Sequence, residues 1–337
     1  MEQYEGLPRM SFSKCNTWMR CPYLYKLRYV DRIDDPMPSL PMTFGKAVHS
    51  GIELTHLSHV PQCALPDIKS NYIANTLESL IAQLSDIGIP DARELVATTT
   101  LDARHAVEVF DALRDKYQVP RASKAYREAL ADAQERATET STMLSEHMRI
   151  TRSTPTLLAY LTDLFNIDTN MQAYNDAYPL ARNDEDTPYS ELELIVPMMD
   201  PDTGEPAYAI HAFIDDIRLD PEGKAFANDY KTGALPTPEL VDYDYQLVNY
   251  QMLMALSDDL PAPSGARLFN PLTGERRAQR PVSLEMHLEW GDQLDTVRAA
   301  IAGGIFPRRR SRECTSCTHQ EYCVTPGAIG DQQGDTT

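Results

Sequence analysis

The sequence predicts an α/β fold with a central mixed sheet, helices on its faces and a helical insertion. Residues 189–233 hold three successive alternating segments joined by the tight turns DPDTGEP and PEGK, as an antiparallel meander would. Apolar residues recur at helical spacing on both sides of that region. Between about Asp67 and Tyr178 the composition shifts to Ala, Leu, Glu, Arg and Thr with few glycines, which predicts a block of helices.

Length and composition narrow the class. The 337 residues are enough to bury a sizeable core. No run approaches the roughly eighteen apolar residues of a membrane span, and MEQYEGLPRM lacks the regions of a signal peptide, so a cytoplasmic protein is expected. Six cysteines without an export signal do not read as a disulfide framework. A net charge of −19 argues against a protein coated with basic patches. One stretch runs the other way: Arg267 to Arg312 holds nine arginines, no lysine and five acids, a local charge of +4. That stretch is suited to phosphate, and Arg308, Arg309 and Arg310 are its densest part.

In chain order, Ser11 and Ser13 offer hydroxyl caps for a helix through KCNTWMRC, which Pro22 interrupts beside Cys21. Asp34 to Pro41 is a proline-rich loop, after which Gly45 to Leu57 reads as a second helix carrying His49. Leu101 to Tyr117 and Ala122 to Ile150 read as long amphipathic helices separated by Val119-Pro120. The strands follow. In the second, Phe213, Asp215 and Ile217 share one face while Ile214 and Asp216 share the other, so an acid is wedged into apolar alternation. The third, AFANDYKTG, places Asp229 and Lys231 on one face and Tyr230 on the opposite one. Asp242 to Leu260 reads as a helix with Gln246 and Tyr250 four apart on one face. A hairpin around Leu272-Thr273-Gly274 and a helix over Leu288 to Ala302 complete the pattern. Gly45-Lys46 is followed by alanine and lacks the upstream glycine of a phosphate loop, so motor activity is not expected.

Two groups of residues carry chemistry. Paired carboxylates with an imidazole and a lysine are what metal-assisted hydrolysis uses, because hard cations prefer oxygen ligands and acidify water. Glu193 is a weaker acidic candidate, sharing a face with Glu191 on an edge strand where a solvated role is expected. The second group is Cys314-x2-Cys317-x5-Cys323, three soft ligands in one loop that need a fourth from elsewhere. Cys21 is the leading candidate and Cys15 its rival, while Cys63 reads as a plain thiol.

Taken as an ordered set, these motifs resemble the PD-(D/E)XK nuclease superfamily, and within it the RecB-like exonucleases that include CRISPR-associated and phage-encoded members. The residues that carry the resemblance are Cys21-Pro22, Gly45 with His49, Phe213-Ile214-Asp215, Asp229-Tyr230-Lys231, Gln246 with Tyr250, and Cys314, Cys317 and Cys323. The resemblance implies a restriction-endonuclease-like core and a metal-dependent DNA exonuclease, using Mg²⁺ or Mn²⁺ and preferring single strands. It implies that His49, Asp215, Asp229 and the Tyr230 carbonyl ligate the metal, that Lys231 serves the attacking water and the phosphate, and that Gln246 and Tyr250 stand beside them. It further implies that Cys21, Cys314, Cys317 and Cys323 hold a [4Fe-4S] cluster joining the two ends of the chain; zinc fits the same ligand set. A helicase, recombinase or CRISPR integration complex is the implied kind of partner.

The expected organisation is an N-terminal helical part (1–66), a helical insertion (67–180), the sheet core with its following helices (181–305), a cysteine loop (306–324) and a disordered tail (325–337). Two rivals stand beside the nuclease: a non-catalytic iron-sulfur DNA-binding or scaffold subunit, and a zinc-stapled interaction protein.

Overall fold

The computed structural model describes residues 6–33, 37–57, 71–117, 124–151, 154–200 and 202–324. Cys63, the tail 325–337 and part of the loop expected at Asp34 to Pro41 lie outside them. The chain divides into two compact units, one from Met1–Met37, Leu194–Ala212 and Ser283–Thr337, the other from Pro38–Glu193 and Phe213–Val282.

In the first unit, strand β1 (Arg9–Met10) pairs in parallel with the start of β3 (Pro206–Leu219). Strand β2 (Ser190–Met199) pairs with β3, and Asp200 N–H donates to Glu205 O across the turn between them. Helix α1 (Phe12–Arg20) starts where expected, with Ser11 Oγ accepting the Lys14 N–H at 3.2 Å. It ends at Cys21, where extended backbone leads into α2 (Pro22–Tyr25) and a π-helical turn, Lys26–Val30. Proline sits at the first position of α2, where no hydrogen bond from its nitrogen is needed. Helix α12 (Leu284–Ala302) begins earlier than predicted, capped by Ser283, and buries Trp290 against Phe12 with ring centroids 5.9 Å apart.

The second unit opens with α3 (Leu40–His56). Its start at Leu40 corrects the expected start at Gly45: Pro41 lies in the first turn, which tolerates a missing N–H, so the helix absorbs the end of the loop. Helices α4 (Asn71–Asp86), α5 (Ala92–Tyr117), α6 (Lys124–Ala129), α7 (Ala131–Leu144), α8 (Leu157–Leu164) and α9 (Ile167–Ala177) follow. The single helix expected over Ala122 to Ile150 is broken at Leu130, whose backbone leaves the helical region (φ −115°, ψ 21°) while its side chain is buried. One core joins this helical layer to the sheet: Phe44, Val48, Leu77, Leu80, Leu84 and Leu161 are buried with Tyr230 and Phe269.

The end of β3 pairs antiparallel with β4 (Ala225–Tyr230), Asp216 lying opposite Asn228. β4 is parallel to β5 (Ala266–Phe269), the two joined through α10 (Pro238–Val241) and α11 (Tyr245–Ala255). β5 turns back antiparallel to β6 (Arg276–Gln279) around the predicted Leu272-Thr273-Gly274 turn. Every residue of β4 is buried, as expected for a strand with neighbours on both edges and covered faces. The result is a mixed sheet flanked by helices. Among the described residues, no helix is long and apolar enough to cross a membrane.

Candidate active site

The second unit contains a cavity of about 920 Å³ lined by residues of α3, β2, β3, β4 and α11 and by Gln83. Strand β4 delivers Asp229 and Tyr230 to its floor, with Lys231 directly after the strand's end, and β3 delivers Asp215 from the neighbouring strand. Helix α3 presents Met42, Lys46, His49 and Glu53 along one wall, three or four residues apart as one helical face requires.

His49 and Asp215 meet in this cavity. His49 Nδ1 lies 3.4 Å from Asp215 Oδ1 and 3.8 Å from Glu191 Oε1, while Nε2 faces Tyr230 O at 3.1 Å. Burial alone would lower the imidazole pKa, but the charge and hydrogen bond of Asp215, with help from Glu191 and Asp229, raise it well above its ordinary value. The ring therefore sits in a field that demands positive charge. Asp215 is also tied to the strand beside it, its Oδ2 accepting the Tyr230 N–H at 2.5 Å.

Asp229 is held by a second set of contacts. Its Oδ1 accepts from Gln246 Nε2 at 2.9 Å and from Tyr250 OH at 3.2 Å, and its Oδ2 lies 2.6 Å from Lys231 Nζ. Lys231 also donates to Gln246 Oε1 at 3.2 Å, and Gln246 Nε2 reaches Tyr250 OH at 2.8 Å. The four-residue spacing on α11 thus serves one purpose: both side chains grip the carboxylate, and the glutamine also grips the lysine. Burial and the Asp215 charge push the Asp229 pKa up to about 6, against the opposing pull of Lys231 and His49. Burial would depress Lys231, yet Asp229 outweighs it and the ammonium is retained with a raised pKa.

Two site features escape sequence inspection. Glu191 enters the cavity, whereas exposed Glu193 does not line it. The two were expected to share a face; Glu191 has φ 48°, in the left-handed region that a regular strand does not use, and its carboxylate lies 3.8 Å from His49 Nδ1. Lys46 is exposed at the cavity wall one turn before His49, between the glycine and the histidine of the Gly45–His49 motif.

A scan against protein-family models matches the description "PD-(D/E)XK nuclease superfamily" over residues 9–324. The chain belongs to the PD-(D/E)XK nuclease superfamily. Membership makes it a metal-dependent nuclease with DNA as its substrate class, and its helix-flanked mixed sheet is consistent with the restriction-endonuclease-like fold of that superfamily. No curated protein matches the chain.

The donors of this PD-(D/E)XK nuclease suit a hard divalent cation. One ligand atom each from His49, Glu191 and Asp215 lies within 4.8 Å of the others, close to the ~4.2 Å that separates opposite ligands of an octahedral Mg²⁺. Buried Asp229 Oδ2 adds a carboxylate oxygen that accepts no aligned hydrogen bond despite its ion pair with Lys231. The Asp215 charge that raises the Asp229 pKa is repulsion between two carboxylates, which a bound cation would relieve.

The cysteines do not form the expected ligand set. Among the described residues, the His49, Glu191 and Asp215 group is the one set of three or more His, Cys, Asp or Glu ligand atoms so closely gathered, and no cysteine takes part in it. Cys314 has turned into its own loop: its Sγ receives the Ser311 N–H at 3.4 Å and its thiol points at Arg309 O, 3.9 Å away. Cys21, Cys317 and Cys323 are free and half-buried. Cys15, the rival fourth ligand, is a core thiol with no exposed surface, and burial pushes its pKa up to about 12. The [4Fe-4S] expectation is therefore not supported, because sequence spacing brings three thiols into one loop without converging their sulfurs. In the same unit, Arg308 lies over the Tyr23 ring at 4.5 Å, Arg309 donates to Met19 O at 2.6 Å, and Arg310 is exposed.

Proposed function

We propose that this protein is a Mg²⁺- or Mn²⁺-dependent exonuclease that hydrolyses phosphodiester bonds at DNA ends, with a preference for single strands. The observation that carries the reading is the convergence of His49, Glu191, Asp215, Asp229 and Lys231 in one cavity. The preference for ends and single strands rests on the resemblance to RecB-like exonucleases.

In this reading His49, Asp215 and Asp229 hold the cation with the Tyr230 carbonyl, and Glu191 joins them. When bound, the cation offsets phosphate charge and acidifies water. Lys231, kept protonated by Asp229, is suited to meet the negative charge that develops on the scissile phosphate; its raised pKa makes it a poor resting base. Gln246 and Tyr250 keep Asp229 and Lys231 in register through the contacts they already make. Lys46 contributes positive charge for a neighbouring phosphate at a wall that otherwise carries Glu53 and Glu191.

The test uses end-labelled single- and double-stranded DNA and a closed circle, each with Mg²⁺ or Mn²⁺, and compares wild type with Lys231→Ala. Linear DNA should be degraded by wild type alone, and the circle should survive. Equal degradation by both proteins would overturn the site, and cleavage of the circle would overturn the exonuclease assignment.

A further inference from the structure

Behind the cavity floor lies a buried polar group that the proposed chemistry does not use. Asp216 and Arg218, both on β3, have no exposed surface and pair at 2.9 Å. They face away from Asp215, as strand alternation requires. Both hold the phenol of Tyr230: its OH donates to Asp216 Oδ2 at 2.5 Å and accepts from Arg218 Nη2 at 2.8 Å.

Arg218 is itself fixed on several sides. Its Nε donates to Asp216 Oδ2 at 3.0 Å, and its Nη1 reaches Asn175 Oδ1 at 2.9 Å and Tyr178 O at 2.7 Å, at the end of α9. Its guanidinium lies 4.7 Å from the centre of the Tyr174 ring, whose own OH donates to Asn228 Oδ1 at 2.6 Å. The planar fork of an arginine meets sheet, helix and phenol together, which a lysine in its place would not do.

Tyr230 therefore has two faces. Its side chain is anchored to the buried pair, while its main chain lies in the site, the N–H on Asp215 and the carbonyl opposite His49. We propose that Tyr230 is a positioning residue, and that the Asp216–Arg218 pair, by locking its phenol, sets where its peptide groups hold Asp215 and His49 for the metal. The proposal rests on the metal reading above and adds to it. Partners behind a ligand commonly change metal affinity by about 10- to 100-fold when removed.

Tyr230→Phe is the sharpest variant, because it keeps the ring that packs beside Phe269 and removes only the two hydrogen bonds of the hydroxyl. Mn²⁺ binding is titrated by calorimetry and by loss of the free-ion EPR signal in the full chain, and thermal stability is measured separately in EDTA. Mn²⁺ affinity should fall about tenfold relative to wild type. Asp216→Asn, which retains an oxygen facing the phenol, should give a smaller loss in the same direction and stands in if the first variant does not fold. A variant with lower thermal stability but the wild-type Mn²⁺ affinity would show a merely structural role and overturn the proposal alone. Wild-type protein that binds no Mn²⁺ would overturn the metal reading, and the proposal with it.

Discussion

Replacing Gly51 by alanine sets two effects of opposite sign against each other. Alanine is favoured over glycine inside a helix by about 1 kcal/mol, so on propensity alone the change should stabilise α3. The packing opposes it. A Cβ at Gly51 would stand 2.3 Å from Thr76 Oγ1, 2.6 Å from Thr76 N and 2.7 Å from Thr76 Cα. Carbon contacts settle near 3.5–4.0 Å, so α3 and α4 must separate by roughly 1 Å, and two of the three atoms are backbone that cannot rotate away. Overpacking of this kind costs about 1–3 kcal/mol, and the backbone contacts put it at the upper end. The net expectation is a loss of about 1–2 kcal/mol, or roughly 2–8 °C in Tm for a unit of this size. His49 lies two residues before Gly51 on the same helix, so the displacement should also lower activity, since a misplacement of ~1 Å can cost ~100-fold. Circular dichroism melts in EDTA, paired with a cleavage assay, check both. A Gly51→Ala protein as stable as wild type would refute the packing argument. Full rescue by Thr76→Ala would refute its backbone part, because that change removes the Oγ1 contact only.

Two further outcomes follow from the geometry. Gln246→Met should lower single-turnover cleavage by about 10- to 100-fold with little effect on DNA binding, because one charge-assisted hydrogen bond to Asp229 is worth ~1.5–3 kcal/mol; an unchanged rate would remove Gln246 from the site. His56, buried at the end of α3 beside Ser190, has its pKa lowered to about 4 by burial, against the pull of Asp216. The unfolded chain then binds the extra proton between about pH 6.5 and 4, so stability is full above that window and falls as the pH drops through it, by up to about 3 kcal/mol. Denaturant titrations at pH 7 and pH 4.5 should show a smaller difference in His56→Gln than in wild type, and equal differences would show that His56 is not the group responsible.

Much of the site is legible in the sequence because it depends on local periodicity. Alternation along β4 places Asp229 with Lys231 and sends Tyr230 the other way, and four-residue spacing on α11 pairs Gln246 with Tyr250; the structure keeps both relations. The strand–helix outline is legible for the same reason, apart from ends set by a proline in a first turn at Leu40 or by burial at Leu130. Glu191 is not legible, because inference from alternation assumes extended backbone and its backbone is left-handed (φ 48°).

What the sequence by itself determined is the family, the set of chemical groups and the face each occupies on its own strand or helix, since these follow from backbone geometry over a few residues. The tertiary structure alone decided which groups converge. It brought α3 against the ends of β3 and β4 so that His49, Glu191 and Asp215 meet, and it buried Asp216 and Arg218 around the Tyr230 phenol. It also left the cysteines ungathered, although their spacing had pointed to a shared metal. Convergence depends on packing between segments far apart in the chain, and residue spacing carries no information about that distance.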